Sequence, residues 1–128
     1  METNVGSIGW VDLTVEDAST VRDFYEAVVG WESDEFDMGE YSDFVMRPAG
    51  SADGVAGVCH ARGSNADVPP VWMVYFNVKD VADSAEQCQQ LGGEVIVAPR
   101  GLAGGRYCVV RDPAGAVCAL FQHPDKDK

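Results

Sequence analysis

Cys59 and His60 stand side by side in the stretch GVAGVCHARGSNADVPPVW, residues 54 to 72. Both side-chain types can bind metals or take part in catalysis. His60 is one of only two histidines; the other, His123, lies in the charged end QHPDKDK, where we expect it to be exposed to solvent. A joint site needs both side chains on one side of the chain, whereas a β-strand points neighbours to opposite faces. The secondary structure around residue 60 therefore decides what this pair can do.

The chain carries an internal repeat that predicts this structure. Residues 11–32 align with residues 74–95 at a constant offset of 63, which matches Val15 with Val78 and Gly30 with Gly93. Each copy predicts a strand, a helix closed by glycine, and three short strands. The predicted buried stripes of the two helices are Val21, Phe24, Tyr25 and Val28, and Ala82, Ala85, Cys88 and Leu91.

The predicted fold is α+β, with two tandem βαβββ modules whose mixed sheets curve into a cup and whose helices lie outside. Module one covers about 8–62 and module two about 71–122 of a single 128-residue domain. A linker at about 63–70 ends in two prolines, which cannot continue a strand ladder. Residues 123–128 form a charged tail.

Composition excludes several classes of function. The net charge of −12 opposes the phosphate neutralisation that nucleic-acid binding needs, and no apolar run is long enough to cross a membrane. The N-terminus lacks the features of a secretory signal, and the four cysteines form no CxxC pair, so we expect reduced thiols in a cytoplasmic protein. The acidic balance favours a cationic ligand, and it is equally explained by solubility or a salty cytoplasm.

Three sequence features identify a family. The doubled βαβββ unit, the helix end FYEAVVGW with its counterpart QLGGEV, and the strand-turn-strand VVRDPAGAVCALFQ resemble the vicinal oxygen chelate superfamily, also called the glyoxalase/bleomycin resistance/dioxygenase superfamily. The resemblance covers about residues 8 to 122. It implies a homodimer and a choice between metal-dependent enzymes and metal-free proteins that sequester bleomycin, since the fold alone selects no chemistry.

The resemblance also implies where a divalent metal would be held, on the first and last strand of each module. Those positions fall on Trp10, Val58, Met73 and Ala119. None of these side chains offers an imidazole nitrogen or a carboxylate, so no metal cofactor is predicted. A divalent metal at other positions is the alternative.

Strand alternation predicts which residues share the cup with those positions. The predicted ligand-binding residues are Trp10, Asp12, His60, Met73, Tyr75, Asn77, Ala119 and Phe121, and Ala56 and Val58 share that face. Cys59, Cys118 and Leu120 are expected on the helix side. Asp12 and His60 are the candidate catalytic pair, because a carboxylate beside an imidazole suits acid-base chemistry near neutral pH. The alternative is that Asp12 only ties neighbouring strands together by hydrogen bonds.

Two main functions follow from these residues. The first is a metal-independent protein that binds a small organic ligand, cationic or aromatic, in the cup. The second is a lyase or isomerase that uses Asp12 and His60, or a metal held at non-standard positions. A third is a partner domain that uses the cup to bind another protein. The glycine-rich RGLAGGR, residues 100–106, is expected to be a lid or a plain hairpin rather than a phosphate cradle.

Overall fold

A computed structural model describes residues 4–124, apart from the side chain of Ser64; the tail residues 125–128 lie outside this range. The first repeat consists of β1 (Ile8–Val15), α1 (Ala18–Val29), β2 (Trp31–Asp37), β3 (Ser42–Pro48) and β4 (Ala56–His60). A 3₁₀ turn (Gly63–Asn65) follows in the linker. The second repeat consists of β5 (Trp72–Asn77), α2 (Val81–Gln90), β6 (Glu94–Leu102), β7 (Gly105–Arg111) and β8 (Val117–Gln122). The predicted α+β fold of two βαβββ repeats is confirmed.

The described chain forms two compact units. The first unit is residues 10–72, and the second is residues 4–9 with residues 73–124. In the second unit the N-terminal residues join the repeat through backbone hydrogen bonds, Gly6 N–H to Asn77 O (2.7 Å) and Asn77 N–H to Ser7 O (2.9 Å). Among the described residues, no helix is both long and apolar enough to span a bilayer.

Each unit contains a four-stranded mixed sheet. The strand orders are β2-β3-β4-β1 and β5-β8-β7-β6. In both, the first and last strands of the repeat are parallel neighbours, and the remaining pairs are antiparallel. The first and last strands therefore present their side chains next to each other.

Local signals in the sequence set the ends of the helices. The Asp17 carboxylate accepts a hydrogen bond from the backbone N–H of Thr20 at the start of α1, and Asp80 accepts one from Asp83 N–H at the start of α2. Gly30 ends α1 in the left-handed conformation, with φ of 85°. The two helix starts occupy equivalent positions of the repeat, whereas α2 ends at Gln90 with Leu91, and not a glycine, at its C-cap.

The buried stripe of each helix is narrower than the spacing predicts. Val21 and Tyr25 pack against the core of the first unit, but Phe24 is 54% and Val28 63% exposed. In α2, Val81, Ala85 and Cys88 line the core, whereas Ala82 and Leu91 are exposed. The prediction was wrong for these four positions, because one sheet covers only one side of each helix.

Candidate functional site

One face of the first unit's sheet, which we call the helix-free face, points away from α1. The register pairs Asp12 with Gly57 and Thr14 with Cys59, so these side chains point to the same side as Trp10. Val45, opposite Gly57 on β3, joins them. The prediction that Trp10 and Asp12 share one face of the sheet is correct. The residues of β4, however, do not face as predicted.

The prediction that Ala56, Val58 and His60 share the face of Trp10 was wrong, as was the helix-side position of Cys59. Ala56 and Val58 are buried in the core beneath α1, together with Ala18. In the first repeat, the first and last strands pair Asp12 with Gly57, which are 45 residues apart. In the second repeat, they pair Tyr75 with Ala119, which are 44 residues apart. The one extra residue shifts β4 by one position, and a shift of one residue exchanges the two faces of a strand.

The observed register of β4 changes one of the four positions at which the superfamily's metal would be held. The counterpart of Ala119 is Gly57 rather than Val58. The four positions are then Trp10, Gly57, Met73 and Ala119, and no side chain among them can coordinate a divalent cation. Within residues 4–124, no three His, Cys, Asp or Glu side chains are grouped so that they could hold a metal ion. These residues therefore do not fit the metal that the resemblance implies.

The indole of Trp10 packs against Gly57 of β4 and Gly54, which precedes that strand. A Cβ atom built on Gly57 would lie 3.4 Å from Trp10 Nε1 and 3.1 Å from Asp12 Cβ. At Gly54 a Cβ would lie 2.5 Å from Val45 Cγ1 and 3.8 Å from the Trp10 ring. Both glycines thus leave room for side chains from neighbouring strands. The result is a half-buried aromatic ring beside the Asp12 carboxylate.

The Cys59 thiol lies on the same face, near two carboxylates. Burial, followed by the negative charges of Asp12 and Asp43 and a hydrogen bond to Asp43, raises its pKa far above the usual range. The thiolate is the nucleophilic and metal-binding form, so we expect Cys59 to react slowly at neutral pH.

His60 lies at the end of β4, away from Asp12. It is opposite Val15, and its ring lies 5.3 Å from that of Tyr41 and 6.3 Å from that of Phe44, centroid to centroid. Its carboxylate partner is Asp43, whose Oδ1 accepts from the His60 backbone N–H at 2.8 Å and lies 3.4 Å from Nδ1. Asp12 and His60, the predicted catalytic pair, are on opposite faces of the sheet.

Asp43 and Tyr41 were missed by sequence reasoning. Asp43 is almost fully buried at the start of β3, next to the core residue Phe44. A carboxylate directly before three consecutive apolar residues in SDFVM is the signal that could have indicated a buried acid. Its partner could not be inferred, because that depends on the register of β4.

In the second unit, the predicted face is largely correct. Tyr75 pairs with Ala119 and Asn77 with Phe121, while Cys118 and Leu120 pack on the α2 side, as predicted. Met73, Tyr75, Asn77 and Ala119 are all buried, and Phe121 is half-buried. A ligand on this face would have to replace the contacts that now bury these side chains.

Polar groups in the second unit are engaged within it. The Tyr107 hydroxyl, beside Tyr75, accepts from Arg100 Nε at 3.2 Å and Nη2 at 3.0 Å. Asn77 donates to Ser7 Oγ, and its Oδ1 lies 3.2 Å from Nε2 of His123. His123 is exposed as expected, although it contacts Asn77 and Phe121.

The glycine-rich segment is a tight hairpin. Leu102 pairs with Gly105, and both central residues are left-handed, with φ of 52° at Ala103 and 81° at Gly104. This two-residue turn presents no anion cradle. The plain-hairpin alternative is correct.

Negative charge is concentrated in the first unit. Residues 10–72 contain 13 acidic and 3 basic side chains, while the rest of the chain contains 8 and 6. The helix-free face lies in this acidic unit, which favours a cationic ligand there.

Comparisons with known proteins agree with this architecture. Residues 7–120 match the family model described as Glyoxalase/Bleomycin resistance protein/Dioxygenase superfamily. The chain is 32% identical over 135 residues to the anthracycline biosynthesis protein DnrV of Streptomyces peucetius, covering 91% of this chain and 47% of DnrV. It is 30% identical over 118 residues to CFP32 of Mycobacterium tuberculosis, whose name assigns it provisionally to the glyoxylases, covering 91% of this chain and 44% of CFP32.

The chain thus spans about half the length of these relatives. Among solved structures, the methylmalonyl-CoA epimerase of Mycobacterium tuberculosis superposes with a TM-score of 0.54 at 17% identity, over 98% of this chain and 94% of that one. At this identity the likeness shows the fold alone.

Proposed function

Since this chain belongs to the glyoxalase/bleomycin resistance protein/dioxygenase superfamily, we propose that it is a metal-independent member that binds a small organic ligand. The observation that carries the proposal is the replacement of the four metal-holding positions by Trp10, Gly57, Met73 and Ala119. A site that has no metal ligands but contains an aromatic ring can bind an organic molecule through packing against that ring.

The ligand that this surface suits is aromatic and cationic. The Trp10 indole offers an aromatic surface, and the Asp12 carboxylate beside it offers a negative charge in a unit with 13 acidic and 3 basic residues. Two relatives are named for anthracycline biosynthesis, DnrV and DauV of a Streptomyces strain. We therefore place polycyclic aromatic compounds first among candidate ligands. In the second unit, Tyr75, Asn77 and Phe121 are proposed as ligand-binding residues of that unit's own face.

The lyase or isomerase alternative is weaker. Its acid-base form needs His60 next to Asp12, and His60 contacts Asp43 instead. Its metal-dependent form needs a group of metal ligands, and residues 4–124 contain no group of three His, Cys, Asp or Glu side chains that could hold a metal ion. The binding function requires no such pair and is preferred.

Binding can be tested with two tricyclic probes of opposite charge. In calorimetric titrations we expect 9-aminoacridine, a cation, to bind more tightly than anthracene-9-carboxylate, and doxorubicin to bind as well. Trp10→Ala should weaken 9-aminoacridine binding roughly tenfold, and Trp10→Phe less, because stacking and cation–π contacts contribute about 1 kcal/mol. Asp12→Asn should remove the preference for the cation.

A matched control is Phe24→Ala, which removes an exposed aromatic ring on α1 and should leave binding unchanged. Equal binding of both probes, or binding that survives Trp10→Ala, contradicts the proposed surface. Metal independence is tested by elemental analysis of protein purified without added metal. Stoichiometric nickel, zinc, iron or manganese would overturn it.

We also propose a cytoplasmic homodimer. The four cysteines are free thiols, which suits a reducing compartment. Membership of the superfamily supports a homodimer, because two copies can complete or bury their sheets across a twofold axis. Multi-angle light scattering should give a mass near twice 13.7 kDa. A monomeric mass across the micromolar range would contradict this.

A further inference from the structure

A second group of polar side chains lies at the end of β4 in the first unit, on the side that faces α1. His60 and Arg62 both contact the ring of Tyr41. The His60 ring is 5.3 Å from it, and the Arg62 guanidinium carbon lies 4.5 Å from its centroid. The His60 side chain is 13% exposed and Arg62 is an exposed residue, so solvent reaches both groups that contact the Tyr41 ring.

Asp43 determines which nitrogen of His60 carries the proton. An ionised carboxylate can only accept hydrogen bonds, and Asp43 Oδ1 faces Nδ1 at 3.4 Å. This contact favours the tautomer with hydrogen on Nδ1. Nε2 then has a free lone pair, and it hydrogen-bonds to no residue between 4 and 124. His60 thus presents a hydrogen-bond acceptor.

Arg62 differs from the other arginines of its unit. Arg22 is paired with Asp23 at 2.7 Å, and Arg47 with Glu32 and Asp34 at 2.7 and 2.8 Å. Arg62 contacts no carboxylate of the described chain, although this unit contains 13 acidic residues. Stacking on Tyr41 orients the guanidinium and leaves its N–H donors available.

We propose that Arg62 and His60 form a binding site for hydrogen phosphate. Such a ligand carries both negative oxygens, which Arg62 can bind, and an O–H, which can donate to Nε2 of His60. Asp43 is a positioning residue that holds the imidazole. The site lies on the opposite side of the sheet from Trp10 and is independent of the proposed aromatic ligand.

Several charged groups surround this site and limit its affinity. The carboxylates of Asp43 and Asp17 interact electrostatically with His60, and Arg22 lies 4.3 Å over the Phe44 ring, which also contacts His60. The two carboxylates repel an anion, so we expect a dissociation constant on the order of 1 mM.

The first test concerns the tautomer of His60. Protein with ¹⁵N-labelled histidine gives signals from only two residues, His60 and His123. At pH 8, long-range ¹H–¹⁵N correlation spectra should show His60 protonated at Nδ1, and Asp43→Ala should remove that preference. His123, whose Nε2 faces Asn77 Oδ1, should be protonated at Nε2 and is the internal control. A His60 protonated at Nε2 in the unaltered protein overturns the proposal.

The second test concerns the ligand. At constant ionic strength and pH 7, inorganic phosphate should shift the His60 signals with saturation and leave His123 unchanged. Sulfate, which has the same shape without an O–H, should bind more weakly. Arg62→Gln should weaken phosphate binding roughly tenfold. Arg106→Gln, which removes an exposed arginine of the second unit, should have no effect.

The proposed site would be overturned if phosphate left the His60 signals unchanged or shifted the signals of both histidines in parallel. It would also be overturned if sulfate bound as tightly as phosphate. Trp10→Ala should leave the phosphate response intact, so failure of this site and failure of the aromatic site are told apart.

Discussion

Cys59 and His60 are neighbours in the chain but have different environments, because adjacent residues of a β-strand point to opposite faces of the sheet. Cys59 points to the helix-free face, near Asp12 and Asp43, and His60 points to the side of α1. Burial raises the pKa of the Cys59 thiol above the usual range, and burial with nearby Cys88 and Cys118 raises the pKa of Cys108 to about 11. The pKa of Cys118 is also raised, chiefly by burial.

We predict that these three thiols react slowly with a disulfide reagent in the folded protein. At pH 8 they remain protonated, and the thiolate is the reactive form. Ellman's reagent should modify Cys59, Cys108 and Cys118 at rates at least about a hundredfold below those in guanidinium chloride, where all four cysteines should react. Fast native-state modification of Cys59, located by mass spectrometry, would contradict the buried environment.

Ala103 has a backbone conformation that its side chain disfavours. It is the one non-glycine residue between 4 and 124 with positive φ, at 52°. Ala103→Asn should stabilise the protein by roughly 0.5 kcal/mol, because asparagine tolerates this conformation better. Thermal unfolding should show a rise in Tm of about 2 °C. The same change at Ala114, in another exposed turn, should leave Tm unchanged.

At the scale of elements, each helix begins at an aspartate N-cap, which fixes the first residue of the helix after the preceding strand. The Asp17 carboxylate accepts hydrogen bonds from the hydroxyl and the backbone N–H of Thr20, and these lower its pKa below the ordinary value of 3.8. Asp80 plays the same part in α2 through Asp83 N–H at 3.1 Å. The two caps are equivalent positions of the repeat.

The α2 cap can be tested directly. Asp80→Ala should lower the free energy of unfolding by about 1 kcal/mol, because it removes an acceptor from the first turn. Asp80→Asn keeps an acceptor and should cost much less. Urea unfolding measures both, and an equal loss in the two variants would show that the cap is not the cause.

The Asp17 cap predicts a dependence of stability on pH. A pKa lowered by folding means that the unfolded state binds the proton more readily, so the stabilisation is present above about pH 4 and is lost as pH falls through the lowered pKa. Asp17→Asn should therefore reduce the acid sensitivity of unfolding below about pH 4. An unchanged pH profile in this variant would contradict the assignment.

At the scale of the whole molecule, the net charge of −12 dominates the electrostatics. Most of it lies in residues 10–72, with 13 acidic against 3 basic side chains. Repulsion among these charges opposes folding, and salt screens it.

We predict that sodium chloride stabilises the protein. Raising its concentration from 0.1 to 1 M should raise Tm by roughly 5 °C, because the screening length falls from about 10 Å to about 3 Å. Glu35→Lys combined with Glu40→Lys, two exposed positions, should reduce this dependence. A Tm that falls with salt, or an equal rise in the charge-reduced variant, would contradict the role of repulsion.

The sequence by itself determined the features that depend on local chemistry. The repeat, the helix ends FYEAVVGW and QLGGEV and the strand-turn-strand VVRDPAGAVCALFQ are read from residues close together in the chain, and they determined the βαβββ order and the family. The alternation in β5 and β8 also gave the correct faces for Tyr75, Ala119 and Leu120, because that repeat has the spacing assumed for it.

Only the tertiary structure decided the pairing of β4. One additional residue between the first and last strands of the first repeat moves Gly57 opposite Asp12 and turns His60 away from it. Nothing local to the GVCHA segment favours one register over the other, since either leaves apolar residues on both faces. Burial of Ala56 and Val58 beneath α1 selects the register. The partners of Cys59 and His60, and with them the chemistry of both residues, follow from that long-range packing.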